Sequence, residues 1–317
     1  MNHHIVCLGT AVIDMSFGGT QFPILADDHQ MLDSRLITPG GMANTAFCAA
    51  RLGLTVTSLG NIGDDNLVDM WRNPLLAEGI AVADMVAIPG QPITISMVLS
   101  EPSGDHVFVS HSGNLLMSAE QFPDRWRTII QAADALYIDG WNYFSFGPDI
   151  NLIAIEVAKK AGIPVFYDPG PWISRMPTSW QNKVFAECTV VLLTQDEAEI
   201  AVGKSLPPEQ LAQQIRQLGS ELVILKQGAK GILGQTKTES VFQPGLKVPV
   251  RDLTGAGDSV LAAVMLSYLE KYDLPKMLAI ANATGAACVQ KFGAGVNVPY
   301  KDEVLAELNK INSRYHF

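Results

Sequence analysis

The chain has 317 residues, nearly half of them apolar, and carries 22 Lys plus Arg against 32 Asp plus Glu, a net charge of −10. Such a chain can bury a sizeable core as one large domain or one domain with an appendage, and its acidic balance argues against a nucleic-acid or anionic-membrane partner, which would need a basic face. A nucleotide stays admissible, because a few backbone amides and one Lys hold phosphates locally. The longest apolar runs, 260–266 and 278–289, are too short for a membrane span or carry polar residues. Cys7, Cys48, Cys188 and Cys288 lie far apart with no CxxC pair, so buried thiols are expected rather than a metal site or disulfides. The opening "MNHHIVCLG" runs straight into a strand-like segment, and a cytoplasmic protein is expected.

In chain order, "HIVCLG" at 4–9 reads as a strand, followed at 15–38 by alternating polar and apolar residues. A helix is expected at 43–52, a strand at 56–63 and a helix at 66–78. Residues 91–112 alternate again, and "TISMVLSEPSGDHVFVSH" reads as two strands around a turn at Ser103-Gly104-Asp105. Strands are then expected at 135–140, 163–170, 189–194 and 221–226, with helices at 149–161, 207–218 and 259–270. This repetition predicts an α/β fold, a mostly parallel sheet with helices on both faces. The segments 15–38 and 91–112 break the rhythm without a linker. They predict a small antiparallel sheet inserted in one domain, suited to cover a cleft or to pair with another subunit. In parallel sheets ligands sit at the carboxyl ends of strands, where Asp168, Thr194 and Lys226 fall.

Three stretches carry chemistry. In "DLTGAGDSVLAAVMLSYL" (252–269) two glycines and Asp258 stand at the mouth of a helix that is apolar on nearly every side. The N–H groups and positive dipole of such a terminus receive an anion. Asp258 beside it is placed to take a proton from an attacking hydroxyl, the dipole keeping it ionised and a weak base. An isolated aspartate there serves equally as a helix cap. "TPGGMANTAFCAARLG" (38–53) sets a glycine pair ahead of a helix with Asn44 in its first turn, and "ANATGAACVQKFGAGVNVP" (281–299) joins a small-residue helix to a glycine loop. Each alone reads as a turn, a cap or tight helix packing.

Together the three stretches resemble the ribokinase-like sugar kinases, the PfkB family, over almost the whole chain. "DLTGAGDSV" is the specific part of the likeness. It implies a three-layer α/β/α domain over 1–317 with a β lid, and transfer of the γ-phosphoryl of ATP to a hydroxyl of a sugar, nucleoside or sugar phosphate. By the resemblance Asp258 matches the catalytic base, and Gly255, Ala256 and Gly257 match the anion hole. Asp14, Gly40, Gly41 and Asn44 match the substrate-binding residues, and Asp168 is kept from a second substrate motif. Lys226, Gly228 and Gly231 in "KQGAKG" match the loop around the nucleotide, and Asn282 matches the position facing the adenine. Glu197 matches a glutamate that places Mg2+ through water. Asp252, Thr254, Gly293 and Asn297 fall where some members hold a monovalent cation such as K+.

The chain also departs from the family pattern. The glycine motif is one residue shorter, with Pro39 in the place of its first glycine. Thr194 replaces a common Asn, and Gly170 and Trp172 stand where Asn and Arg are frequent, which argues against an acceptor bearing its own phosphate. The expected reaction is ATP- and Mg2+-dependent phosphorylation of a small polyhydroxylated acceptor, a sugar or sugar acid. A nucleoside is the alternative, with Val12, Met42, Phe108 and Trp172 as apolar candidates to line a base pocket. A catalytically silent sugar-binding regulator is the rival of another class. A dehydrogenase is disfavoured, because "GTAVIDMSFGG" after the first strand lacks the GxGxxG spacing.

Overall fold

Alternate residues of each central strand enter different cores, and this alternation fixes the layering. In Val190–Thr194, Val190 and Leu192 pack into one cluster while Val191 and Leu193 pack into the other. Ile5 and Cys7 are separated from Val6 and Leu8 in the same way along His4–Leu8. The computed structural model, which describes residues 3–101 and 106–317, accordingly has helices on both faces of one eight-stranded sheet. One face is covered by Met42–Arg51, Val68–Ala77, Ala256–Leu269, Leu274–Cys288 and Lys301–Ile311. The other carries Asp124–Gln131, Pro148–Lys160, Thr178–Glu187 and Pro208–Arg216.

Six strands run parallel in the spatial order Leu222–Lys226, Val190–Thr194, Val165–Asp168, Ala135–Asp139, His4–Leu8, Thr55–Leu59. An antiparallel hairpin, Gly231–Gln235 and Ser240–Pro244, extends the sheet beyond Leu222–Lys226. The sequence pattern did not announce this hairpin. The run expected as one strand at 56–63 is two, Thr55–Leu59 and Asn61–Ile62, and the second pairs with Val86–Ala87 away from the main sheet.

The second sheet has four strands in the order Ser34–Gly41, Ala11–Gly18, Thr94–Ser100, His106–His111. Its outer pairs are antiparallel, but Ala11–Gly18 and Thr94–Ser100 run parallel, so the sheet is mixed rather than antiparallel. Each excursion is a hairpin-like pair, and the two outgoing strands lie side by side at its centre. The turn expected at Ser103-Gly104-Asp105 lies outside the described residues. The four cysteines are free and buried. No described helix is long and apolar enough to cross a membrane.

Candidate active site

Helix Ala256–Leu269 begins at Gly255, whose φ of 76° and ψ of 0° lie in the left-handed region that glycine enters at little cost. No side chain caps this helix, so Asp258 is not its cap. Its Oδ2 instead accepts a hydrogen bond from Asn44 Nδ2 at 3.0 Å. Asn44 lies in helix Met42–Arg51, and its Oδ1 accepts the Gly295 N–H at 2.8 Å, so the glycine loop near the C-terminus fixes the amide that aims Asp258. Burial pushes the Asp258 carboxyl up to about 6, with Asp168 adding to the shift and the bond from Asn44 and the charge of Lys226 opposing it. It is therefore a stronger base than the helix dipole alone suggested. Of the three expected anion-hole residues, the Ala256 N–H turns back to Leu253 O at 3.3 Å. Gly257 lies in the helix's first turn, where amides have no intrahelical partner.

Asp14 is not a turn residue. It sits inside the lid strand Ala11–Gly18, opposite Thr38. Its carboxylate lies directly over Gly40, where any Cβ would collide with it, and this close approach explains the glycine. Gly41 ends strand Ser34–Gly41 and precedes the Asn44 helix. Burial, and then the charge of Asp258, push the Asp14 carboxyl up to about 7. The sequence reading missed Asp139. It ends strand Ala135–Asp139, pairs in register with Asp168, and its Oδ2 lies 3.4 Å from where a Cβ on Gly9 would be, beside Met42. Its Oδ1 accepts the Asn142 N–H at 3.0 Å. Burial pushes it up to about 7, with Asp258 and Asp168 adding to the shift. The strand-end rule that singled out Asp168, Thr194 and Lys226 applies equally to this residue. Asp14, Asp139 and Asp258 thus converge on one pocket floored by glycines.

Asp168 faces the other way. Its Oδ1 accepts the Gly170 N–H at 3.1 Å and its Oδ2 pairs with Lys226 Nζ at 2.5 Å, both side chains largely buried. Lys226 Nζ lies 3.3 Å from where a Cβ on Gly257 would be, which brings the ammonium to the anion hole. Burial alone would lower its pKa, but Asp168 and Glu197 outweigh burial and hold it above the usual range. Thr194 and Glu197 form a reciprocal cap on helix Gln195–Val202. Thr194 N–H donates to Glu197 Oε2 at 2.7 Å and Glu197 N–H to Thr194 Oγ1 at 3.2 Å. Glu197 is buried rather than on a solvated helix face, and burial followed by Asp168 raises its pKa. Gly228 opens a single helical turn with free space around its α-carbon, whereas Gly231 starts the hairpin strand packed on Gln243. Asn282 donates from Nδ2 to Pro244 O at 2.8 Å, tying its helix to the end of that hairpin.

Asp252, Thr254, Gly293 and Asn297 also share one corner. Asp252 accepts the Thr254 and Gly293 N–H groups at 2.8 and 2.9 Å, and Asn297 donates to Phe292 O. The Thr254 hydroxyl is buried there without a hydrogen-bond partner.

The geometry thus sets a hydroxyl-binding, carboxylate-lined pocket against an anion site carrying a lysine. The chain matches the family model of pfkB family carbohydrate kinases over residues 2–301 and belongs to that family. It is similar to a 5-dehydro-2-deoxygluconokinase of Shouchella clausii, with 27% identity over 95% of this chain and 94% of that protein. A ribokinase of Haemophilus influenzae is 26% identical over 84% of this chain and 85% of its own. Among solved structures, the ribokinase of Arabidopsis thaliana complexed with ribose and ATP superposes with a TM-score of 0.83 at 24% identity, covering 97% of this chain and 99% of that one. The protein is an ATP-dependent sugar kinase with the ribokinase-like fold.

Proposed function

We propose that the chain works as a single kinase domain over 1–317 and transfers the γ-phosphoryl of ATP to a hydroxyl of a free sugar unit. Segments 15–38 and 91–112 belong to its lid. The observation that carries this reading is the Asn44–Asp258 bond beside an uncapped helix N-terminus, with Asp14 close enough for Asp258 to shift its titration. Asp14 and Asp139 accept hydrogen bonds from the acceptor's hydroxyls. A charged acceptor group strengthens such bonds and fixes the geometry of the sugar. Asp258 takes the proton of the reacting hydroxyl, and this happens late in a loose phosphoryl-transfer transition state.

Asp168 is read as the holder of Lys226 rather than as a sugar ligand, because both of its oxygens are engaged. Lys226 and the Gly257 amide stabilise charge on the transferring group. Gly228, Gly231 and Asn282 lie along the path of the nucleotide. Mg2+ bound with ATP supplies charge neutralisation between its phosphates, and Glu197 with Thr194 is the pair fitted to hold it through water. The partnerless Thr254 oxygen beside Asp252 fits a monovalent cation. Asp14, Asp139 and Asp258 line the acceptor side while Asp168 neutralises Lys226, an arrangement that favours an uncharged acceptor over a sugar acid.

The lid's outer strand, His106–His111, is exposed at every position and leaves an edge for a second copy, so a homodimer through the lid is proposed. Free buried thiols suit a reducing cytoplasm. The test of the function is a coupled ADP-release assay over neutral sugars, sugar acids and nucleosides. Asp258→Asn should fold and bind ATP yet lose most turnover, and full activity in that variant would sink the reading. Sedimentation of the dilute protein as a monomer would remove the dimer.

A further inference from the structure

Of the five tryptophans, Trp71, Trp126 and Trp180 are buried in the two cores. Trp141 and Trp172 are not. They remain 40% and 36% exposed, yet lie against each other with ring centroids 4.8 Å apart. Both follow carboxylates at the ends of adjacent strands. Trp141 comes two residues after Asp139, and its backbone N–H bonds the Asp139 carboxylate. Trp172 comes four residues after Asp168. The loops are packed together, since a Cβ on Gly170 would lie 3.3 Å from Trp141 Nε1. Trp172 is held further by Arg175, 4.2 Å over its ring, and by the edge of Phe144 at 5.1 Å. The short helix Asn142–Ser145 that follows Trp141 is pinned to the base of the lid by Ser145 Oγ and Thr10 Oγ1, 2.8 Å apart.

Exposed indoles forgo the burial that the other three obtain, and a rigid pair at a pocket mouth is a surface built to be covered. We infer that Trp141 and Trp172 form an aromatic subsite that receives a flat aromatic ring attached to the sugar whose hydroxyl is phosphorylated. The acceptor class is then an uncharged sugar bearing a planar ring. Its polyol end lies on Asp14 and Asp139, and its ring leaves the pocket past the Asp139–Trp141 turn onto the indoles. A nucleobase and an aryl aglycone present this same chemistry, because every such ring has a π-face to stack. The inference rests on the sugar-kinase reading of the same pocket.

The test compares ribose, purine and pyrimidine ribonucleosides, and p-nitrophenyl glycosides as acceptors for the full chain. Trp141→Ala, Trp172→Ala and the two Phe replacements are assayed beside it. A ring-bearing acceptor is expected to have a KM at least tenfold below that of the free sugar, the nucleoside and aryl-glycoside arms showing which source of ring is preferred. Each Ala variant should raise the KM for that acceptor about tenfold. The KM for ATP and that for free sugar should stay within twofold, and Phe should restore most of the loss. Tryptophan emission of Asp258→Asn, which holds acceptor without turnover, should be quenched by the ring-bearing acceptor and not by ribose. No preference for ring-bearing sugars, or an equal rise in KM for free sugar, overturns the subsite while leaving the kinase intact. Absence of turnover with every acceptor, with quenching retained, would instead condemn the kinase reading. An emission maximum that follows protein concentration and ignores acceptor would mean that a second copy covers the indoles, and would also overturn the inference.

Discussion

Replacing Asp14 by Asn should make the protein more stable and a worse kinase, and the stability gain should depend on pH. The carboxyl titrates at 3.8 when exposed and at about 7 in the fold, burial being the main cause and Asp258 the second. At about 1.4 kcal/mol per tenfold in proton affinity, keeping the ionised group in place costs the folded state on the order of 4 kcal/mol above neutral pH. Between the two pKa values the folded chain keeps a proton that the unfolded chain has released. The stability contributed by this group is therefore full below about pH 4 and lost as pH rises through about 7. Asn carries no charge, but its amide must still be buried, at about 1–2 kcal/mol. A net gain of about 2 kcal/mol, or roughly 5 °C in Tm, is expected at pH 8 and none at pH 4. Loss of a charged acceptor worth about 1.5–3 kcal/mol should raise the KM of the acceptor roughly 10- to 100-fold and leave that of ATP unchanged. Calorimetry at the two pH values and two substrate titrations provide the check. A variant less stable at pH 8, with both Michaelis constants unmoved, would show that Asp14 is a structural strand residue and refute the reasoning.

Asp258→Asn should retain its melting temperature within a few degrees, since the carboxylate caps nothing, and lose about 10²–10⁴ in kcat by steady-state assay. In the parent protein kcat/KM should rise as pH climbs through about 6, where Asp258 ionises. Asn44→Ala removes a bond that lowers the Asp258 pKa, so the same limb should move to higher pH; an unmoved limb would detach Asn44 from the base. Asp168→Asn leaves the buried Lys226 ammonium without its nearest carboxylate, and should cost several kcal/mol in urea unfolding and weaken ATP binding. Because the two residues act as one pair, adding Lys226→Met should cost little more, and strictly additive losses in that cycle would argue against the pair. Saturating acceptor should slow amide exchange in Thr94–Ser100 and His106–His111 as the lid closes, and unchanged exchange there would count against closure.

Local order along the chain determined much of this protein. Period-two apolar runs marked the six parallel strands, because each strand must feed two cores at once. The Gly-Ala-Gly-Asp stretch marked a helix mouth, because glycine there makes room for a ligand and leaves amides uncapped. Other features depended on residues far apart in sequence. The hairpin Gly231–Gln235 with Ser240–Pro244 has short strands whose pattern blurs into turn residues, and only pairing against Leu222–Lys226 makes them strands. The parallel centre of the lid follows from two excursions leaving side by side, which neither excursion encodes alone. Asp258 could have been a cap or a base. The tertiary structure decided between them by bringing Asn44, 214 residues away, to its carboxylate. Asp139 looked like an ordinary strand end until the sheet order set it beside Asp168 and the packing of Gly9 and Met42 placed it in the pocket. Asp168 looked like a substrate ligand until Lys226, from the neighbouring edge of the same sheet, took its second oxygen. Periodicity records which face a residue presents to its own neighbours. Charge pairing and desolvation depend on which distant residues the fold brings opposite it.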